Sequence, residues 1–254
     1  TFVYYRCTKK LKICFQKYLP QGEFETQLRK IVRDCALHKD YRQIFEDWAD
    51  SLKAKGIWAI TGNIYGDDSY FDNLGLGKGW TLDYESSWFE APSGALSFDD
   101  NSIEIKIIPS EINYPAKISI IPDTKFVQLA AKVITVDENS EQSVSVRRLR
   151  GTNLISVTGN IKKDSKPISE HVSITDPTMF FLTVLKEVFE QKGIIIKGRI
   201  GGIDSAEKNI PSDDLTPIFS HRSVPLKMIL KELNKNSNNF YAEQILKTIG
   251  LEIY

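Results

Sequence analysis

The spacing of apolar residues along the chain predicts two amphipathic helices, each followed by a short strand. Helices are expected over 40–56 and 176–193, because apolar residues recur there every three or four positions between capping and terminating residues. The stripe of the first helix consists of Tyr41, Ile44, Phe45, Trp48 and Leu52. Apolar runs at 57–60 and 194–196 follow directly and have the length of strands.

The two helix–strand passages resemble each other in sequence. Lys55-Gly56-Ile57 precedes Gly62-Asn63-Ile64, and Lys192-Gly193-Ile194 precedes Gly198-Arg199-Ile200 at the same spacing. Two copies are too few for a solenoid. We therefore expect two helix–strand units that pack in one sheet layer.

The region between these passages has the pattern of a small β-structure. Short runs rich in β-branched residues are separated by polar turns. The predicted strands are 103–107, 117–120, 126–131, 132–136, 144–149 and 154–157. Strands of this length and spacing predict a small sandwich or barrel.

The last part of the chain is predicted to be helical after a polar segment. Residues 205–222 are polar and contain two prolines, which favours a linker or surface loop. Helices are expected over 225–233 and 240–248, with Gly250 as the stop of the second. Residues 234–239 form the turn between them.

Composition argues against several function classes but does not point to a particular function. Lys plus Arg and Asp plus Glu are 33 each, so no excess of positive charge points to nucleic acid. The chain contains no apolar run long enough to span a bilayer, and its first residues do not resemble a secretory signal. Its three cysteines form neither a disulfide framework nor a zinc motif. We expect no cofactor and no metal.

Ser237 and Asn239 are the candidate chemical groups of the interhelical turn. One residue apart in a tight turn, a hydroxyl that relays a proton and an amide that binds a substrate peptide group can face one cleft. Ser and Asn are also preferred helix caps, so the tripeptide alone leaves capping open. If Asn239 is the cap, Glu243 misses the capping-box spacing by one residue.

Longer blocks resemble class C low-molecular-mass penicillin-binding proteins, which are D-alanyl-D-alanine carboxypeptidases and endopeptidases. The block from Asn234 to Gly250 is similar to the family's N-K-x-S-D-N-x-x-A-E-x-L-L-x-T-x-G, with Asn238 in place of Asp. The block from Gly62 to Asp72 resembles G-x-L-x-x-D-x-S-x-F-D. Gly77–Trp80 and Ser93–Asn101 look like the G-x-G-W and S-A-L-S-x-N-x-N passages, with Asp99 in place of an Asn. Several blocks in order are more specific than one tripeptide.

The resemblance implies serine-type acyl transfer on peptidoglycan peptides that end in D-Ala-D-Ala, and binding of β-lactams. Ser237 and Asn239 would form the second motif, and Lys235 would help to bind substrate. The first motif, S-T-x-K-L on a helix, is matched by Cys7-Thr8-Lys9-Lys10-Leu11, with Cys7 at the nucleophile position and Lys10 as the base. We interpret Cys7 as sequence damage rather than a working cysteine nucleophile. The third motif, K-T-G, is not found before Tyr254.

The fold class implied is α+β, a fragment of a serine β-lactamase/DD-peptidase-like domain with a large β-rich insertion. Residues 1–56 would be a remnant of the helical part of the transpeptidase domain, 57–204 the β-rich insertion, and 205–254 the helices of the second motif. Without the sheet that the family provides, those helices are expected to expose apolar stripes.

We expect an impaired carboxypeptidase with very low activity. The first alternative is a non-catalytic module that binds cell-wall peptide or a partner through 57–200. A second alternative, an unrelated β-rich structural protein, does not explain the ordered blocks. The family works in the periplasm or otherwise outside the cytoplasmic membrane, so the resemblance implies an exported parent protein.

Overall fold

The computed structural model describes residues 2–5, 11–15, 41–77, 79–205, 218 and 225–253. Helices are α1 (Tyr41–Ala54), α2 (Pro177–Gln191), α3 (Leu226–Asn236) and α4 (Asn239–Ile253). Strands are β1 (Phe2–Tyr5), β2 (Leu11–Phe15), β3 (Ala59–Ile60), β4 (Ile64–Asp67), β5 (Ser102–Ile108), β6 (Lys117–Ile121), β7 (Gln128–Val136), β8 (Ser143–Arg148), β9 (Leu154–Lys162), β10 (Ile168–Ser173), β11 (Ile195–Ile196) and β12 (Ile200–Gly202). Mixed helices and sheets confirm the α+β class.

The two similar helix–strand passages lie side by side, as the sequence predicts. Strand β3 pairs in parallel with β11, and β4 pairs in parallel with β12 in a sheet of order β1-β2-β4-β12. The Gly-x-Ile passages are in matching register, with Ile64 opposite Ile200. Helices α1 and α2 pack through Phe45 and Phe181, whose ring centroids are 5.2 Å apart. Because parallel strands need crossover connections, each pairing joins distant parts of the chain.

Gly198 lies where the two passages touch, which gives a stability prediction. A Cβ at this position would stand 1.9 Å from the carbonyl oxygen of Gly62, and backbone cannot move aside cheaply. We expect Gly198→Ala to lower the free energy of unfolding by about 2 kcal/mol through overpacking, measured by urea denaturation. Gly250→Ala is the control, since it lies in α4 with open space around it and should stabilise slightly. Equal effects of the two substitutions would contradict this account.

The middle region forms two three-stranded sheets, of order β10-β5-β6 and β7-β9-β8. An isolated bridge between Pro115 and Ile134 connects segments of the two sheets. The predicted strands 126–131 and 132–136 are one strand, β7, because no turn residue interrupts the run from Gln128 to Val136. Strand β10 was not predicted, since Ser169, Glu170 and His171 give it a polar sequence; it pairs with β5 throughout.

The apolar core is continuous from α1 through the middle region to α2. It includes Phe45, Phe98 and Phe180, all fully buried, together with the inward residues of β5 and β9. Helices α3 and α4 instead share a small separate cluster of Ile229, Phe240 and Tyr241. The helices of the interhelical turn therefore contribute little to the main core.

The last helix is longer than the sequence predicts. Helix α4 continues through Gly250 to Ile253, so the expected stop at Gly250 is wrong. Gly lowers helix propensity by about 1 kcal/mol, which one residue in a 15-residue helix tolerates. Apolar residues of the two helices are exposed, as expected: Leu226, Met228, Leu230, Leu246, Ile249 and Leu251. The predicted linker lies outside the described residues except for Ser205 and Ile218.

Candidate active site

Ser237 stands at the turn between α3 and α4. It ends α3 in the left-handed conformation, with φ of 50°, and its backbone N–H donates to the carbonyl of Leu233. Its side chain is exposed. A non-Gly residue in this conformation is uncommon and turns the chain sharply. The hydroxyl is therefore presented at the surface of the turn rather than inside a helix.

Asn238, the middle residue of the turn, is the helix cap. Its Oδ1 accepts a hydrogen bond from the backbone N–H of Tyr241 at 3.0 Å, which satisfies a free donor of the first turn of α4. The alternative that Asn239 is the cap is therefore wrong. Asn238 is 8% exposed, and its Nδ2 donates to Oδ2 of Asp100 at 3.0 Å.

Asn239 is the first residue of α4, and its exposed side chain makes a hydrogen bond through the amide nitrogen. Its Nδ2 donates to the carbonyl oxygen of Phe89 at 3.1 Å. Phe89 lies in a short 3₁₀ turn, Trp88–Glu90, and its ring is 5.8 Å from that of Tyr84 and 6.1 Å from that of Trp88. These three rings are exposed, so an aromatic surface borders the turn.

Further side chains of α4 hold this helix on the middle region. Nε2 of Gln244 donates to the carbonyl of Gly94 at 2.9 Å. The ammonium of Lys247 donates to Oδ1 of Asp72 and to the carbonyl of Leu74, both at 2.6 Å. The apolar cluster that α4 shares with α3 is small, so these polar contacts fix the orientation of the helix.

Two adjacent acids lie beneath the turn. Burial raises the pKa of Asp99 to about 7, with the charges of Asp100 and Glu104 adding to the effect. Burial raises the pKa of Asp100 to about 6, the hydrogen bond from Asn238 lowers it, and the charge of Glu232 raises it.

Asp67, the last residue of β4, and Asp68, which follows it, have structural partners. Asp67 is buried and accepts from the hydroxyl and the N–H of Ser69. Asp68 accepts from the hydroxyl of Thr178 at the start of α2, and burial raises its pKa. The sequence alone favours solvent-facing turn acids for this pair, and the structure corrects this expectation: Asp67 is buried and Asp68 is bonded to α2.

The structure brings only part of the predicted site together. Ser237 and Asn239 share one turn, and Lys235 lies exposed in the last turn of α3. Whether the three face one cleft stays a prediction. Cys7 and Lys10 lie outside the described residues, and Leu11 begins strand β2 where the resemblance implies a helix.

Sequence reasoning missed the residues that hold the turn. Asp100, Phe89 and Gln244 were not assigned any role, although Asp100 lies in the block that resembles S-A-L-S-x-N-x-N. The run Asp99-Asp100-Asn101, three turn-forming residues after the buried Phe98, was the available signal. Within the described part of the chain, no group of three or more His, Cys, Asp or Glu residues could hold a metal ion.

Comparison with known proteins gives the family. The model of the D-Ala-D-Ala carboxypeptidase 3 (S13) family matches residues 34–254, which include the turn and every contact that holds it. The chain belongs to this family. Its resemblance to penicillin-binding carboxypeptidases is thereby confirmed.

Two curated relatives are similar over most of this chain but are much longer. A D-alanyl-D-alanine carboxypeptidase of Actinomadura is 28% identical over 212 residues, which are 80% of this chain and 38% of the relative. The D-alanyl-D-alanine carboxypeptidase DacB of Haemophilus influenzae is 23% identical over 80% of this chain and 41% of its own length. The chain thus spans less than half the length of these relatives.

Solved structures support the fold. The crystal structure of penicillin-binding protein 4 (dacB) from Haemophilus influenzae has a TM-score of 0.66 at 20% identity, over 82% of this chain and 45% of that one. A structure of the same protein complexed with a novel β-lactam has a TM-score of 0.51 at 19% identity, over 79% of this chain and 41% of that one. At these identities the likeness shows the fold alone. In the part of this chain described by the structure, no helix combines the length and the apolar character that a membrane crossing requires.

Proposed function

We propose that the chain is part of a serine-type D-alanyl-D-alanine carboxypeptidase that hydrolyses peptidoglycan peptides by acyl transfer and works outside the cytoplasmic membrane. The observation that supports this most is the turn at 237–239, where an exposed hydroxyl and an exposed amide flank a buried cap. Family membership supports peptides that end in D-Ala-D-Ala as the substrate class. β-Lactams follow as ligands, as one structural relative is complexed with such a compound.

Each residue of the turn has a proposed role. The Ser237 hydroxyl passes a proton to the leaving amine, since a hydroxyl both accepts and donates. The Asn239 amide carries two N–H donors and an oxygen, so its bond to Phe89 leaves groups that bind a substrate peptide unit. Lys235 adds positive charge near a substrate carboxylate. The exposed rings of Tyr84, Trp88 and Phe89 offer an apolar wall beside them.

Acyl transfer itself is proposed to be impaired. The resemblance puts Cys7 where the nucleophilic hydroxyl belongs, with Lys10 as its base. Groups that act as a unit in a hydrolase are each needed, and loss of the nucleophile costs on the order of a million-fold in turnover. Substrate binding depends on other groups and is expected to survive.

Binding and acylation are therefore tested separately. We expect the chain to bind a peptide ending in D-Ala-D-Ala more tightly than one ending in D-Ala-L-Ala, measured by calorimetry. Asn239→Ala should weaken binding by roughly tenfold, because one to two hydrogen bonds are lost. Labelled penicillin should acylate the chain far below one equivalent.

The control is Asn234→Ala, which removes the same amide from an exposed position of α3 and should leave affinity unchanged. Equal affinity for the two peptides would refute the substrate class. Stoichiometric acylation by penicillin would refute the impairment while supporting the enzyme family.

A second candidate is a non-catalytic module in 57–200 that binds cell-wall peptide or a partner. The observation in its favour is the main core, which is nearly complete without α3 and α4. If peptide affinity is unchanged by Ser237→Ala and Asn239→Ala together, binding belongs to this module instead.

A further inference from the structure

We propose that Asp100 is a positioning residue of the turn that carries Ser237 and Asn239, and that it acts through Asn238. The inference rests on the proposed function for the role of the turn. It concerns a residue outside the turn, in a different part of the sequence, 138 positions earlier.

Asn238 is held at both ends of its amide. The oxygen accepts from the Tyr241 N–H at 3.0 Å and the nitrogen donates to Oδ2 of Asp100 at 3.0 Å. An amide nitrogen only donates and an amide oxygen only accepts, so these two bonds fix one orientation of the side chain. Since Asn238 lies between Ser237 and Asn239, these two bonds restrain the backbone that carries both neighbours.

Asp100 is itself held in an unusual backbone conformation. Asp99, Asp100 and Asn101 have φ of 49°, 49° and 47°, a run of left-handed residues that costs free energy at each non-Gly position. Asn101 stabilises the run: its fully buried amide donates to the Pro92 carbonyl at 2.7 Å and to the Ser97 hydroxyl at 2.8 Å. Such strain persists only where surrounding contacts determine it.

The other contacts of α4 do not replace this one. Gln244 and Lys247 hold α4 one and two turns further along the helix, and Asn239 uses a backbone carbonyl of the exposed Trp88–Glu90 turn. Among the contacts described for the turn, the bond from Asn238 to Asp100 is the one made to a side chain of the middle region. Loss of this bond should let the turn move while α4 stays attached.

The bond between Asn238 and Asp100 also restricts the residue types at these two positions, because one side chain must donate and the other must accept. A carboxylate at 238 would face the carboxylate of Asp100. Two further acids interact with these groups electrostatically: Glu232 on α3, and Asp99, which precedes Asp100 in the chain. Like charges at this distance raise each other's pKa, so the charged forms are disfavoured. Exchange of the two residue types, amide at 100 and acid at 238, would restore one donor opposite one acceptor.

The test is a swap cycle in the full chain: Asn238→Asp, Asp100→Asn and the double variant. At pH 7.5 we expect Asn238→Asp to lower the thermal midpoint by about 5 °C. It should speed amide exchange at Tyr241 by about tenfold and weaken peptide binding by about tenfold. The double variant should recover all three properties, because the carboxylate introduced at position 238 can cap α4 and accept from the amide introduced at position 100. Asp100→Asn alone should shift them little, as its side-chain oxygen still accepts from Asn238.

A pH profile separates positioning from general damage. In Asn238→Asp the facing acids have folded-state pKa values above their unfolded ones, so its stability deficit is small at pH 4 and grows as pH rises through those values. The double variant should lack this extra dependence. Asn234→Asp, which adds the same charge at an exposed position, should behave like the unchanged chain.

The outcomes are distinguishable. The proposal is overturned if Asn238→Asp keeps the midpoint and the Tyr241 exchange rate, or if the double variant does not recover. If the unchanged chain fails to bind D-Ala-D-Ala peptides, the proposed function falls, and the melting and exchange data still decide whether Asp100 positions the turn.

Discussion

Replacing Phe98 with Ala is expected to lower the free energy of unfolding by about 3–5 kcal/mol. Phe98 is 0% exposed and stacks on Phe180, with ring centroids 4.4 Å apart; Phe45 and Tyr41 contact it at 5.6 and 5.4 Å. Truncation would leave a cavity between α1 and α2 that the surrounding rings cannot close without leaving their rotamers. Urea denaturation followed by tryptophan fluorescence measures the change.

Tyr114→Ala is the matched control, since Tyr114 is 63% exposed and should change stability by less than about 0.5 kcal/mol. A loss below about 1 kcal/mol for Phe98→Ala would contradict a rigid core at this position. Because Phe98 directly precedes the strained run at 99–101, the variant should also weaken peptide binding at temperatures where it is still folded.

Arg148→Met is expected to cost about 3 kcal/mol or more. Arg148 is 6% exposed, and its guanidinium donates to three backbone carbonyls: Ser173 at 2.9 Å, Thr152 at 3.0 Å and Glu85 at 2.6 Å. Met fills similar volume but donates nothing, so these carbonyls lose a charged donor in a buried place. The Glu85 contact ties the segment that carries Phe89 to the middle region.

Two measurements check the Arg148 prediction. The free energy of unfolding from urea denaturation should fall, and proteolysis of the native chain should begin within 80–90, because that segment loses an anchor. The neighbouring Arg147→Met is the control, since Arg147 is exposed on the same strand and should be nearly neutral. Cleavage that starts elsewhere would show that Arg148 does not anchor this segment.

Local patterns were sufficient for the elements that bury one regular face. The stripe from Tyr41 to Leu52 and the Asp176-Pro177 start predicted α1 and α2 within a few residues, because helix periodicity and capping act over short distances. The paired Gly-x-Ile passages predicted two adjacent units, and strands β4 and β12 confirm them. Ordered sequence blocks also gave the family before any fold was known.

Patterns failed where partners far apart in sequence decide the outcome. Strand β10 has a polar sequence and exists because β5 offers it a hydrogen-bonding edge. The acids 67 and 68 are typical of a solvent-facing turn, yet Thr178 of α2 covers the second of them. Gly250 is a typical helix stop, yet α4 continues past it.

The sequence by itself determined the family, the main helices and the identity of Ser237 and Asn239 as candidate groups. Only the tertiary structure decided which residue caps α4 and what holds the turn, since Asp100 and Phe89 meet it from 138 and 150 positions away. The physical reason is that a motif specifies residue types only. The directions of their side chains depend on hydrogen-bond partners that chain folding brings together.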